Sequence, residues 1–146
     1  MKRFVRCVCL LMILSMVAAI PAFAAENIQP RASEFFARST VCLIKQSTYT
    51  FEAWFDVLGL GIMDEIGASS IKIQRSLDGV NWTTTKTFTK ANYPDLVDYN
   101  TATHTACVRY TGTKGYYYRS VVNLWAKNSS GSAIMTEYST PILIGG

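Results

Sequence analysis

Ten residues in the first half of the chain constrain the fold more than any other stretch. From Thr48 to Val57, the residues Tyr49, Phe51, Ala53, Phe55 and Val57 alternate with Thr48, Thr50, Glu52, Trp54 and Asp56. Successive side chains of an extended strand point to opposite faces, so a period of two predicts one buried face and one solvated face. Similar chemistry recurs along the chain. Ser39–Lys45 is β-branched and apolar, and Ser70–Ser76 alternates with Ile71 and Ile73 inward. Asp78-Gly79 is a hairpin dipeptide, and it precedes a strand predicted over Trp82–Thr89. Thr103–Tyr110, Tyr116–Lys127 and Ala133–Ile144 complete seven predicted strands. In Tyr116–Lys127, the even positions Tyr116, Tyr118, Val122, Leu124 and Ala126 suit a core face. Leu58–Ser69, with three glycines and Met63-Asp64-Glu65, reads as a long loop, and Thr89–Asn100, with Pro94, as a crossing loop. Short strands at this spacing predict an all-β domain, a two-sheet antiparallel β-sandwich of about seven strands over 39–146.

The N-terminus carries a different signal. Lys2, Arg3 and Arg6 form a basic head, Val8–Ile20 is apolar apart from Ser15, and Pro21-Ala22-Phe23-Ala24 breaks the run. A basic head, a short apolar stretch and small residues at A-x-A describe a secretory signal peptide over 1–24, cleaved before Ala25. The run is shorter than the roughly 20 apolar residues that cross a bilayer, and no later stretch is apolar and long enough to do so, so no membrane insertion of the mature chain is expected. Residues 25–38 read as a loose leader. Cleavage removes three of the fourteen basic residues and none of the ten acidic ones, leaving eleven against ten, a net +1. That balance gives no electrostatic case for nucleic acid. The expected location is secreted, extracellular.

Cys7 and Cys9 depart with the signal, leaving Cys42 and Cys107. An isolated pair in an oxidising compartment is most simply a disulfide. Closing a loop of roughly 66 residues would remove about 4 kcal/mol of unfolded-chain entropy. The alternatives are two buried free thiols, or a metal site. His104 is the only histidine and there is no C-x-x-C, so neither metal nor cofactor is expected.

Gly115-Tyr116-Tyr117-Tyr118-Arg119 through Ala126-Lys127-Asn128-Ser129-Ser130-Gly131-Ser132 resembles the last hairpin of fibronectin type III-like domains, within the wider immunoglobulin-like sandwiches. The resemblance implies that Tyr116 or Tyr118 packs at a sandwich corner with its hydroxyl bonded to nearby backbone. It covers about a fifth of the mature chain and is silent on function. The chain departs from the family in its two cysteines, its long second loop and its start. Ser76-Leu77-Asp78-Gly79-Val80-Asn81-Trp82 resembles the S-x-D-G-x-x-W hairpin of discoidin-type carbohydrate-binding sandwiches. Turn chemistry alone accounts for each of its residues. As a whole the chain resembles small secreted bacterial proteins of unassigned function.

Trp54, Tyr117 and Trp125 fall on the outward phase of their strands, where aromatics can stack on sugars or anchor a protein. Asp56, Asp64 and Glu65 lack a D-x-D-x-D-G pattern and fall short of the six to eight oxygens of a calcium site. No serine elbow or triad signature accompanies His104. The expected function is therefore a secreted, non-catalytic binding or adhesion module for an unknown protein or glycan. A carbohydrate-binding module using surface aromatics is the alternative, and a small hydrolase the least supported.

Overall fold

The computed structural model describes residues 34–145. The signal peptide, its cleavage site and most of the leader lie outside the described residues. Seven strands run in chain order: β1 (Phe36–Lys45), β2 (Thr50–Ser76), β3 (Thr83–Thr89), β4 (Val97–Thr111), β5 (Tyr117–Asn128), β6 (Gly131–Tyr138) and β7 (Ile142–Leu143). All pair antiparallel, in one curled sheet. A 3-10 turn, Pro94–Leu96, leads into β4. Among the described residues no helix is long and apolar enough to cross a membrane.

The organising element is β2, 27 residues long. Its first half pairs with β1 on one edge and β4 on the other, and its second half with β5 and β3. At Glu65–Gly67 it touches β4 and β5 together, so β1 and β5 share one edge of β2 while β4 and β3 share the other. The sheet thus has two wings hinged along one strand. Between Leu58 and Met63 the register with β4 skips, carrying Leu60 and Ile62 into solvent. Extra residues on one strand of a pair bend it and raise its twist. The inward rows of both wings then meet in one core. Phe51, Ala53, Phe55 and Val57 come from the first wing, and Ile66, Ala68, Ile71, Ile73, Tyr118, Val122, Leu124 and Ala126 from the second.

The predicted loop over Leu58–Ser69 is therefore a correction: the ladder continues through it, with Met63, Ile66 and Ala68 buried. Its glycines shape a strand that bends. Gly67, at φ 151°, lies so close to the turn preceding β4 that an added Cβ would meet the Leu96 carbonyl oxygen. Glycine inside a strand marks such close backbone approach. The strand count of seven survives by a different division, with two predicted strands fused in β2 and the last split into β6 and β7. β1 also begins earlier than Ser39, because Phe35 and Phe36 are buried in the core.

The Cys42–Cys107 disulfide is a second correction. Both cysteines are free thiols. Cys42 on β1 and Cys107 on β4 are each the register partner of Trp54 on β2, so β2 lies between them. Two strand spacings make roughly 9–10 Å, beyond the ~6.8 Å that a disulfide spans between Cα atoms. An even cysteine count carries no information about strand order. Alkylation of the native protein without reductant should add one adduct at each of residues 42 and 107. Cys107 is exposed but should react slowly, because partial desolvation of its sulfur and then the neighbouring Glu52 charge push its thiol pKa up. Peptide mapping that found both positions protected and linked would overturn this geometry.

Candidate functional site

Outward residues of β5 form the most chemically distinctive row on the surface. With the even positions from Tyr118 to Ala126 buried, the odd positions Tyr117, Arg119, Asn123, Trp125 and Lys127 face away from the core, and Val121 in the middle of the same row is buried by its neighbours. Same-face residues recur about every 6.8 Å, so the row from Tyr117 to Lys127 spans roughly 34 Å. β2 and β3 flank it on one side and β6 on the other.

At one end, the Arg119 guanidinium carbon lies 4.3 Å from the centre of the Trp82 ring and 5.1 Å from that of Tyr138. Its Nε donates to Gln74 Oε1 at 2.9 Å. A planar cation on aromatic faces gains quadrupole attraction and loses freedom of orientation. In the middle, Asn123 Nδ2 donates to Ser70 Oγ at 3.0 Å, and Thr136 donates to Asn123 Oδ1 at 2.9 Å. At the other end, Trp125 Nε1 donates to Glu65 Oε2 at 2.7 Å, and Lys90 Nζ stands 3.0 Å from the same oxygen and 4.6 Å from the Trp125 ring centre. The Lys90 and Trp125 donors, in that order, hold the Glu65 carboxyl below its usual range.

Of the three aromatics singled out from the sequence, the fold places Tyr117 and Trp125 on this row and Trp54 on the other wing. Trp54 donates to Glu52 Oε2 at 3.2 Å and stands between the register positions of Cys42 and Cys107. A small surface hollow of about 310 Å³ beside it is lined by Thr40, Cys42, Phe55, Asp56 and Thr105. Trp82, Arg119 and Tyr138 escaped the sequence reading. Only the S-x-D-G-x-x-W motif pointed at Trp82, and it served there as turn chemistry.

That turn forms as expected. Gly79 has φ 74°, and Asp78 Oδ1 accepts from the backbone N–H groups of Val80 (2.9 Å) and Asn81 (2.8 Å) and from Ser76 Oγ (2.7 Å). The Asn81 backbone N–H, then the Ser76 hydroxyl and the Asn81 amide, hold the Asp78 carboxyl far below its ordinary value of 3.8. A carboxyl depressed on folding contributes stability that is fully present above its unfolded pKa and is lost as pH falls through the folded one. Wild type should therefore melt above an Asp78→Asn variant at neutral pH, with the difference shrinking as pH drops below about 3.8. A difference that stayed constant down to the acid limit, measured by thermal melts, would show that the charge does not cap the turn.

His104 has a structural job: its Nε2–H donates to the Asp95 carbonyl at 2.8 Å, and its ring packs tilted on Phe55. It thereby fastens the 3-10 turn to β4. Among the described residues no cluster of three or more histidine, cysteine or acidic side chains is arranged to hold a metal. Comparison with protein-family models, with curated proteins and with solved structures returns no match.

Proposed function

We propose that this chain is a secreted, non-catalytic binding or adhesion module whose contact surface is the outward row of β5 and its neighbours. One observation carries the reading: Tyr117, Arg119 and Trp125 share that row, and Trp82, Gln74, Glu65 and Lys90 hold its arginine and tryptophan in place. Side chains ordered in advance lose less entropy on binding, which suits a recognition surface. Secretion rests on the basic head, apolar run and A-x-A site of residues 1–24.

A fibronectin type III-like, two-sheet sandwich is the architecture we propose for the curled sheet. Its wings share one core, and Tyr118, buried in it, accepts a hydrogen bond at its hydroxyl from the Thr113 N–H, 2.9 Å away and five residues upstream. That is the corner role the resemblance implies for Tyr116 or Tyr118. The absence of catalysis is part of the proposal and is supported by the structural engagement of the lone histidine.

The test is a panel of immobilised glycans and extracellular proteins probed with wild type and with Trp125→Ala. Whatever wild type binds, the variant should bind about tenfold more weakly, the 1–2 kcal/mol scale of an aromatic anchor. Tyr117→Ala, at a more exposed position, serves as the second variant if Trp125→Ala lowers the melting temperature. Binding profiles unchanged in both variants would remove this face from the function.

A further inference from the structure

The two wings differ in how they dispose of charge. On the outer face of the first wing, Arg38 pairs with Asp56 at 3.0 Å and Arg109 with Glu52 at 2.8 Å. On the second wing, Lys72, Arg119 and Lys127 have no carboxylate oxygen within 4 Å among the described residues, and Glu65 already holds Lys90. Lys72 points outward because its neighbours Ile71 and Ile73 are both fully buried. Lys127 belongs to the same face, since its charge helps to depress the Glu65 carboxyl. The face is therefore cationic, although the expected mature chain is nearly neutral.

Arg119 is the most specific of these cations. Its Nε is committed to Gln74, and Trp82 and Tyr138 fix the guanidinium plane. Its two terminal nitrogens make no hydrogen bond to a described residue. Such a fork matches a carboxylate or sulfate through two parallel bonds. Between this end and Trp125 lie neutral hydrogen-bonding groups, Asn123, Ser70 and Thr136. Aromatic faces, hydroxyl and amide groups and separated cations together match a chain of sugar rings carrying intermittent negative charge. Single-stranded nucleic acid fits less well: it carries a charge about every 3.4 Å per strand, whereas Arg119 and Lys127 on β5 stand roughly 27 Å apart.

We propose that the outward row of β5 binds an acidic polysaccharide, with Arg119 receiving a carboxylate or sulfate in two-point fashion and Lys127 and Lys72 meeting further anionic groups along the chain. This rests on the reading of the same face as the contact surface and names its ligand class. The experiment measures affinity of the purified protein for hyaluronan, which carries a carboxylate on alternate rings, for neutral dextran and for an oligothymidylate. Hyaluronan should bind, added salt should weaken it, and neither dextran nor oligothymidylate should match it. Arg119→Lys keeps the charge without the fork and should lose about tenfold in affinity; Lys127→Gln, at the periphery, should lose a few-fold with an unchanged melting temperature. Equal binding of dextran would overturn the acidic specificity while leaving the contact surface in place. Oligothymidylate binding as tightly would overturn the polysaccharide assignment, and so would unchanged affinity in both variants. Failure of every glycan would overturn it too, the broader reading then standing or falling on the protein arm of the panel.

Discussion

Gly67→Ala should leave the protein largely unfolded at room temperature. Gly67 sits at φ 151°, a conformation that side-chain-bearing residues rarely adopt, and its Cβ position is occupied by the Leu96 carbonyl. The overlap involves backbone, so rotamer adjustment cannot relieve it. The residue also lies where β2 is paired with β4 and β5 at once, opposite Val97 and Trp125. Strain at such a backbone position costs about 1–3 kcal/mol before any clash is added, and total stability is only about 5–15 kcal/mol. Circular dichroism and a urea titration check this. A cooperative transition within 1 kcal/mol of wild type, a scale on which surface changes usually fall, would mean that the approach of β4 to β2 is not as close as described.

Tyr118→Ala is expected to cost about 3–5 kcal/mol, the range for emptying a large aromatic site in a core. The ring is buried against Phe51 at 5.3 Å and Tyr110 at 5.9 Å between centroids. Tyr118→Phe separates the two contributions of this side chain. It keeps the packing, removes the acceptor for the Thr113 N–H, and should cost about 1 kcal/mol. Denaturant midpoints at constant slope give both values. If the phenylalanine variant were as damaged as the alanine one, the hydroxyl rather than the ring would be holding the corner.

Some of this fold can be read from the sequence because local chemistry decides it. The alternation from Phe51 to Val57 survives as a buried inward row, and Asp78-Gly79 makes its turn through contacts within six residues. Leu58–Ser69 misleads because glycine is the common mark of both a loop and a bent strand. Only the partners of that segment, β4 and β5, distinguish the two. The cysteines mislead for a related reason. Residues 42 and 107 face the same way, yet a third strand runs between them.

The candidate site divides along the same line. The outward phase of Tyr117 and Trp125 follows from periodicity within β5. The gathering of Trp82, Arg119 and Tyr138 follows from pairing, because Gln74 lies opposite Arg119 and Tyr138 opposite Val121. Three residues distant in sequence meet there through strand order, which periodicity does not encode. Strand order also removes Trp54 from the group, by placing it on the other wing.

The three tryptophans give the most direct test of the binding face, because each indole N–H reports from a known place. Titrating the ¹⁵N-labelled protein with a hyaluronan oligosaccharide should move the Trp82 and Trp125 indole resonances together and leave that of Trp54 unchanged. Movement of the Trp54 resonance alone, or of none of the three at saturating ligand, would contradict the account.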